Sequence, residues 1–158
     1  LKSENTPSAI ALSRQKVPYI NPKNPKENKC EKGAYVVNLT SHESNVTLVA
    51  SGTEVELALK VQDKLIENNI HSKVVSMPCM ELFDKQPEDY RKDILEENSL
   101  IITIEAGGVM SWQKYIKNKG SNLGIDKFGE SAPYKEVYKH FKLSEEDITN
   151  YIQKKLRE

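Results

Sequence analysis

The chain has 158 residues, and at roughly 100–200 residues per domain this length holds one compact domain with a short attachment, not two full domains. Lys+Arg 23 against Asp+Glu 23 leaves no net charge, which excludes an overall field that would draw it to nucleic acid or an anionic membrane. A hydrophobic share of 37% beside 29% charge supports an ordinary core and excludes global disorder. The longest apolar runs, such as Leu100 to Ile104, are strand-sized and far short of the ~20 residues of a spanning helix. Cys30 and Cys79 are the two cysteines and form no C-x-x-C pair. A disulfide scaffold and a zinc ribbon are therefore excluded. Reduced thiols and the lack of a visible secretory signal predict a cytoplasmic protein. The chain opens on Leu1 instead of Met, which predicts a piece of something longer.

In chain order, Ser8 to Ser13 is a short apolar run that reads as a strand. From Arg14 to Lys32, Pro18, Pro22 and Pro25 alternate with Asn21, Asn24 and Asn28 in a lysine-rich stretch, which predicts an irregular linker. Ala34–Asn38 and Val46–Ser51 are β-branched-rich runs separated by the polar segment Thr40–Asn45. They suit a hairpin or an edge strand. Thr53-x-x-Glu56 matches a capping box, and behind it Val55, Ala58, Val61 and Leu65 recur at helical spacing up to Asn68 and Asn69. Lys73–Met77 predicts a strand stopped by Pro78, and Pro87 begins a short helix through Leu95. Leu100–Ile104 is continuously apolar, as in a strand buried on both faces. Ser111–Lys117 reads as helical and Asn122–Asp126 as a last short strand. Pro133–His140 is a helix with proline at its first turn. Ser144 caps a final amphipathic helix carrying Ile148, Tyr151, Ile152 and Leu156. This order predicts an α/β fold of three layers: a mostly parallel sheet of about five strands, one edge strand antiparallel, with helices on both faces.

Motifs for chemistry are sparse. Gly107-Gly108 follows a strand, but neither G-x-G-x-x-G nor G-x-x-x-x-G-K-[ST] is present. His42, His71 and His140 lack metal-ligand spacing. The sequons Asn38-Leu-Thr40 and Asn45-Val-Thr47 read as chance matches in a chain without a visible signal. The strand ends offer a better candidate, because open α/β sheets place ligands outside the carboxyl ends of their strands. Gly52, Thr53, Glu105 and Gly107 would line such a crevice, with the helix after Thr53 presenting free N–H groups and Glu105 needing a partner. Caps and buried ion pairs would account for the same residues without a ligand. Trp112 and Tyr115, three apart, point to packing.

Read in series, the segments resemble transketolase at its C-terminal end. The residues that carry the resemblance are Ala11-Leu-Ser-Arg-Gln15 before a proline linker, Leu48-Val-Ala-Ser-Gly-Thr-Glu-Val55, Val74-Val-Ser-Met-Pro78, Phe83-Asp-Lys-Gln86 with Tyr90-Arg91, Ile104-Glu-Ala-Gly107 with Trp112 and Lys114-Tyr115, and Gly124 through Pro133. The resemblance implies a stub of a preceding domain at 1–13, a linker at 14–33 and a C-terminal domain at 34–158. It implies a parent enzyme that moves a two-carbon ketol unit between sugar phosphates. That parent would hold thiamine diphosphate and Mg or Ca in its N-terminal and middle domains. The family's Gly-Asp-Gly metal motif and its cofactor-activating glutamate have no counterpart here. The resemblance thus implies no catalytic, cofactor-binding or metal-binding residue in this chain, no cofactor bound to it, and no activity in isolation. One site residue is implied: Arg14, in Leu-Ser-Arg-Gln, as the contact to the substrate's phosphate. Implied partners are the remainder of the transketolase chain, a sugar phosphate and a second subunit in a homodimer. Other readings are the C-terminal domain of a different thiamine enzyme, such as a 2-oxo-acid dehydrogenase beta subunit or deoxyxylulose phosphate synthase, and a free-standing small-molecule-binding or regulatory α/β module.

Overall fold

The computed structural model describes residues 5, 7, 9–13, 16–20, 27–96, 98–116 and 120–158. β-branched residues recur in the strands β1 (Tyr35–Leu39), β2 (Val46–Ala50), β3 (Ser72–Ser76) and β4 (Leu100–Ile104), and the short β5 (Ser121–Leu123) has none. They lie in one sheet in the order β1-β3-β2-β4-β5. β2 is parallel to both β3 and β4, and β5 is parallel to β4. β1 runs antiparallel to β3 at the edge, with a register irregularity between Val36 and Asn38. The hairpin alternative for β1 and β2 does not occur, because β3 lies between them. The edge-strand alternative does.

Side-chain alternation divides the core into two layers. Val46, Leu48 and Ala50 of β2 with Leu100, Ile102 and Ile104 of β4 face helices α1 (Glu54–Glu67) and α5 (Glu145–Arg157). Val49, Val75 and Ile101 face the other way, where they meet Phe83 of α2 (Met80–Asp84), Ile94 and Leu95 of α3 (Glu88–Leu95), and Trp112 and Tyr115. The last two sit on a 3-10 turn, Met110–Tyr115. Helix α4 (Tyr134–His140) precedes α5. The expected three-layer α/β sheet is the fold observed.

Several local expectations are corrected. Residues 9–13 form no strand. An isolated strand has no ladder to stabilise it, and Ile10 and Leu12 stand 67% and 86% exposed. Part of the proline-rich stretch is regular, since Lys29–Lys32 closes a 3-10 turn. The capping box at Thr53 is not formed. Thr53 is itself helical, and its hydroxyl donates to Glu54 Oε1 at 2.8 Å, while Glu56 pairs with Lys60 at 2.8 Å. Helix α2 carries no cap or periodicity long enough to be read in advance. By contrast, Ser144 caps α5 as expected, accepting from the Asp147 N–H.

Candidate functional site

The connections out of β2 and β4 leave the sheet in opposite directions, towards β3 and towards β5. The carboxyl ends of these two neighbours form the switch point where open α/β sheets take ligands. The segments that carry the anticipated crevice residues, Ser51-Gly52-Thr53 and Glu105 to Gly107, are brought together there. Met77, just past β3, sits beside them, its N–H donating to the Ala50 carbonyl at 2.8 Å.

Glu105 has the partner that its position demands. Its Oε2 accepts from the Trp112 indole Nε1–H at 3.2 Å and from the Ser51 hydroxyl at 3.5 Å. The Ser51 bond crosses the switch point. Beside it the buried carboxylate of Glu54 accepts from the hydroxyls of Thr53 and Tyr138. Burial raises the Glu105 pKa, the neighbouring Glu54 charge raises it further, and the Trp112 and Ser51 donors only partly oppose them. Tyr138 is likewise raised by burial and by its bond to Glu54, so its phenol stays protonated and donates. Gly124 lets the returning strand close over this end, because a Cβ there would lie 2.3 Å from Val109 Cγ1 and 2.8 Å from the Gly107 carbonyl oxygen.

The crevice residues therefore satisfy one another. Among the described residues no three His, Cys, Asp or Glu side chains group closely enough to hold a metal ion. Nor do those at the switch point form a cradle for a diphosphate, since the two carboxylates there would repel it. Arg14, the expected phosphate contact, lies outside the described residues. Sequence reasoning missed Glu54 and Tyr138. Their contact spans 84 positions, and no local signal announces it.

A protonation test follows. Because the folded-state pKa of Glu105 is raised, the native state holds that proton more tightly than the unfolded chain does. Stability from this group is present at low pH and is lost as pH rises through the raised value. Glu105→Gln keeps an acceptor for Trp112 and removes the titration. Its melting temperature relative to the unsubstituted chain should climb as pH rises above the ordinary carboxylate range. A pH-independent difference would contradict the assignment.

The fold and its self-satisfied switch point define a domain of the open parallel α/β class. Residues 33–144 match the family model described as the transketolase-like TK C-terminal domain. The chain is 40% identical over 154 residues to a transketolase of Rhodobacter capsulatus, covering 94% of this chain and 23% of that protein. It is 36% identical over 154 residues to one from Aquifex aeolicus, covering 96% of this chain and 22% of that protein. The structure superimposes on a transketolase of Campylobacter jejuni with a TM-score of 0.74 at 34% identity, over 83% of this chain and 20% of that one. The chain belongs to the transketolase family and corresponds to its C-terminal domain. It spans about a fifth of the length of the curated relatives it matches.

Proposed function

We propose that the chain serves as the C-terminal domain of a transketolase, an enzyme that transfers a two-carbon ketol unit between sugar phosphates in the cytoplasm. The carrying observation is the match of residues 33–144 to that domain, within an alignment spanning only 23% of a relative that bears the whole activity's name. In this reading residues 1–13 are a stub of the middle domain and 14–33 the linker, with thiamine diphosphate and Mg or Ca held by the N-terminal and middle domains. The described residues fit a supporting role. Their strand-end carboxylates are committed to protein donors, and Phe128 and Met110 stand 98% and 88% exposed, apolar surface suited to contact with those domains or with a second subunit of a homodimer. This chain contributes no catalytic residue. Arg14 contributes one substrate contact, because a guanidinium matches two phosphate oxygens with paired N–H donors.

The test is reconstitution. The chain alone should transfer no ketol unit and give no saturable heat with thiamine diphosphate and magnesium. Co-expressed with N-terminal and middle transketolase domains, it should restore transfer. Micromolar cofactor binding by the chain alone, or no restoration, would overturn the reading. In the restored enzyme Arg14→Ala should raise KM for phosphorylated donors about 10- to 100-fold, since a charge-assisted hydrogen bond contributes roughly 1.5–3 kcal/mol. An unphosphorylated ketol donor should be nearly unaffected. Equal losses for both donors would assign Arg14 to structure.

A further inference from the structure

On the sheet face away from α1 and α5, helix α3 and the 3-10 turn enclose a cleft of about 400 Å³. That volume falls within the range of about 300–1,000 Å³ typical of small-molecule sites. Arg91 lies on the α3 wall, and Phe83, Leu95, Ile101 and Tyr115 supply the apolar lining. These walls are fixed. The Tyr90 hydroxyl ties α3 to the Ala34 carbonyl at 2.7 Å, and the Tyr90 ring meets Phe83 edge-on at 6.5 Å. Opposite, the Tyr115 hydroxyl donates to Asp84 Oδ1 at 2.8 Å.

The charges on the cleft do not balance. Lys92 pairs with Glu88 at 2.7 Å, and Lys114 pairs with Asp84. Asp84 is thereby engaged on both oxygens. Burial works to raise its pKa, but the Lys114 and Tyr115 bonds, with the charges of Lys114 and of the nearby Arg91, outweigh it and hold the carboxyl below its usual value. Arg91 remains. Its Nε–H is shut away from solvent and meets no hydrogen-bond acceptor, and among the described residues the guanidinium forms no ion pair. The cleft is thus lined by three cations, Arg91, Lys92 and Lys114, against two carboxylates, Asp84 and Glu88, an excess that a bound oxyanion would balance.

We propose that this cleft binds a small organic anion, its carboxylate or phosphate on the Arg91 guanidinium and its apolar body against Phe83, Leu95 and Tyr115. The proposal is independent of the ketol-transfer reading, since none of the strand-end residues Ser51, Gly52, Thr53 and Glu105 lines this cleft and no thiamine cofactor is needed. Asp84 does not turn the anion away, because Lys114 neutralises it. A planar guanidinium suits either oxyanion, offering two parallel N–H bonds.

Titration of the ¹⁵N-labelled chain with phenyl phosphate, and separately with inorganic phosphate, tests this. Saturable amide shifts are expected at Arg91, Lys114 and Tyr115, with phenyl phosphate bound at least ten-fold tighter because only it fills the apolar lining. Arg91→Gln should weaken phenyl phosphate at least ten-fold. Arg91→Lys, which keeps the charge but not the fork, should fall between the two and serves if Arg91→Gln does not fold. Shifts that never saturate, equal affinity for the two probes, or binding unchanged in both variants would overturn the proposal. So would loss of phenyl phosphate binding on assembly with upstream domains, for then a protein carboxylate takes the place.

Discussion

Trp112→Ala lowers the stability of the chain by about 4 kcal/mol, the usual cost of emptying a large buried aromatic site. Trp112 is 1% exposed and ranks among the largest fully buried side chains. It packs with Tyr115, ring centroids 6.3 Å apart, in the core layer shared with Phe83, Val49 and Ile101. Its loss also strips Glu105 of its indole donor, leaving a carboxylate that burial already disfavours. For a chain of this size the melting temperature should fall by roughly 8–16 °C. Trp112→Phe keeps most of the volume and drops the N–H, so it should cost only about 1–2 kcal/mol. Thermal and urea unfolding of the two variants separates packing from hydrogen bonding, and equal losses would show that the hydrogen bond dominates.

Gly33→Ala should be nearly as damaging, at about 3 kcal/mol or more. Its φ is +82°, and a Cβ would stand 2.2 Å from the Phe83 nitrogen, 2.4 Å from the Cys79 carbonyl oxygen and 2.8 Å from the Leu82 carbonyl carbon. All three obstacles are backbone, which cannot rotate aside. The Cys79 N–H also donates to the Gly33 carbonyl at 3.1 Å, so the two segments cannot simply separate. Gly52→Ala is the natural control. Its φ is +54° but nothing lies within 4 Å of the added carbon, so conformation alone opposes it, at roughly 1–2 kcal/mol. If urea unfolding shows both variants equally destabilised, steric closure at Gly33 is not the cause.

The central strands were legible because burial on both faces leaves a nearly unbroken apolar run, as in Leu100–Ile104, where the one polar residue, Thr103, donates to Asn122. Lys73 is the instructive exception. A lysine inside a strand buried throughout is tolerated because its ammonium reaches Glu96 Oε2 at 2.9 Å and the Asp93 carbonyl at 2.7 Å. Both partners come from the end of α3 and the turn after it, 20 or more positions away. The helix α1 was readable from its period of apolar residues, yet its cap was not. Thr53 and Glu56 each found a stronger local partner, Glu54 and Lys60, than the backbone donors that a capping box would serve. At the switch point the need of Glu105 for a partner could be foreseen from a carboxylate ending a buried strand. That Trp112 and Ser51 supply it depends on how the chain returns over the sheet, which no single segment encodes. The resemblance of six segments in series carried the family, because their order along the chain constrains what no one motif could.

The two borders of the sheet have a further consequence, for how the protein behaves in company. An unpaired border strand is a template on which another molecule's backbone can zip, and long flat borders seed polymerisation. Here one border, β1, is broken by the irregularity between Val36 and Asn38, and such a break twists the strand away from a flat partner. The other, β5, runs only from Ser121 to Leu123, too short to offer a lasting ladder. Contacts with other subunits or domains are thereby steered towards side chains such as Phe128, where shape and chemistry discriminate between partners. The backbone rows at the rim, which would accept any strand, are kept out of the encounter.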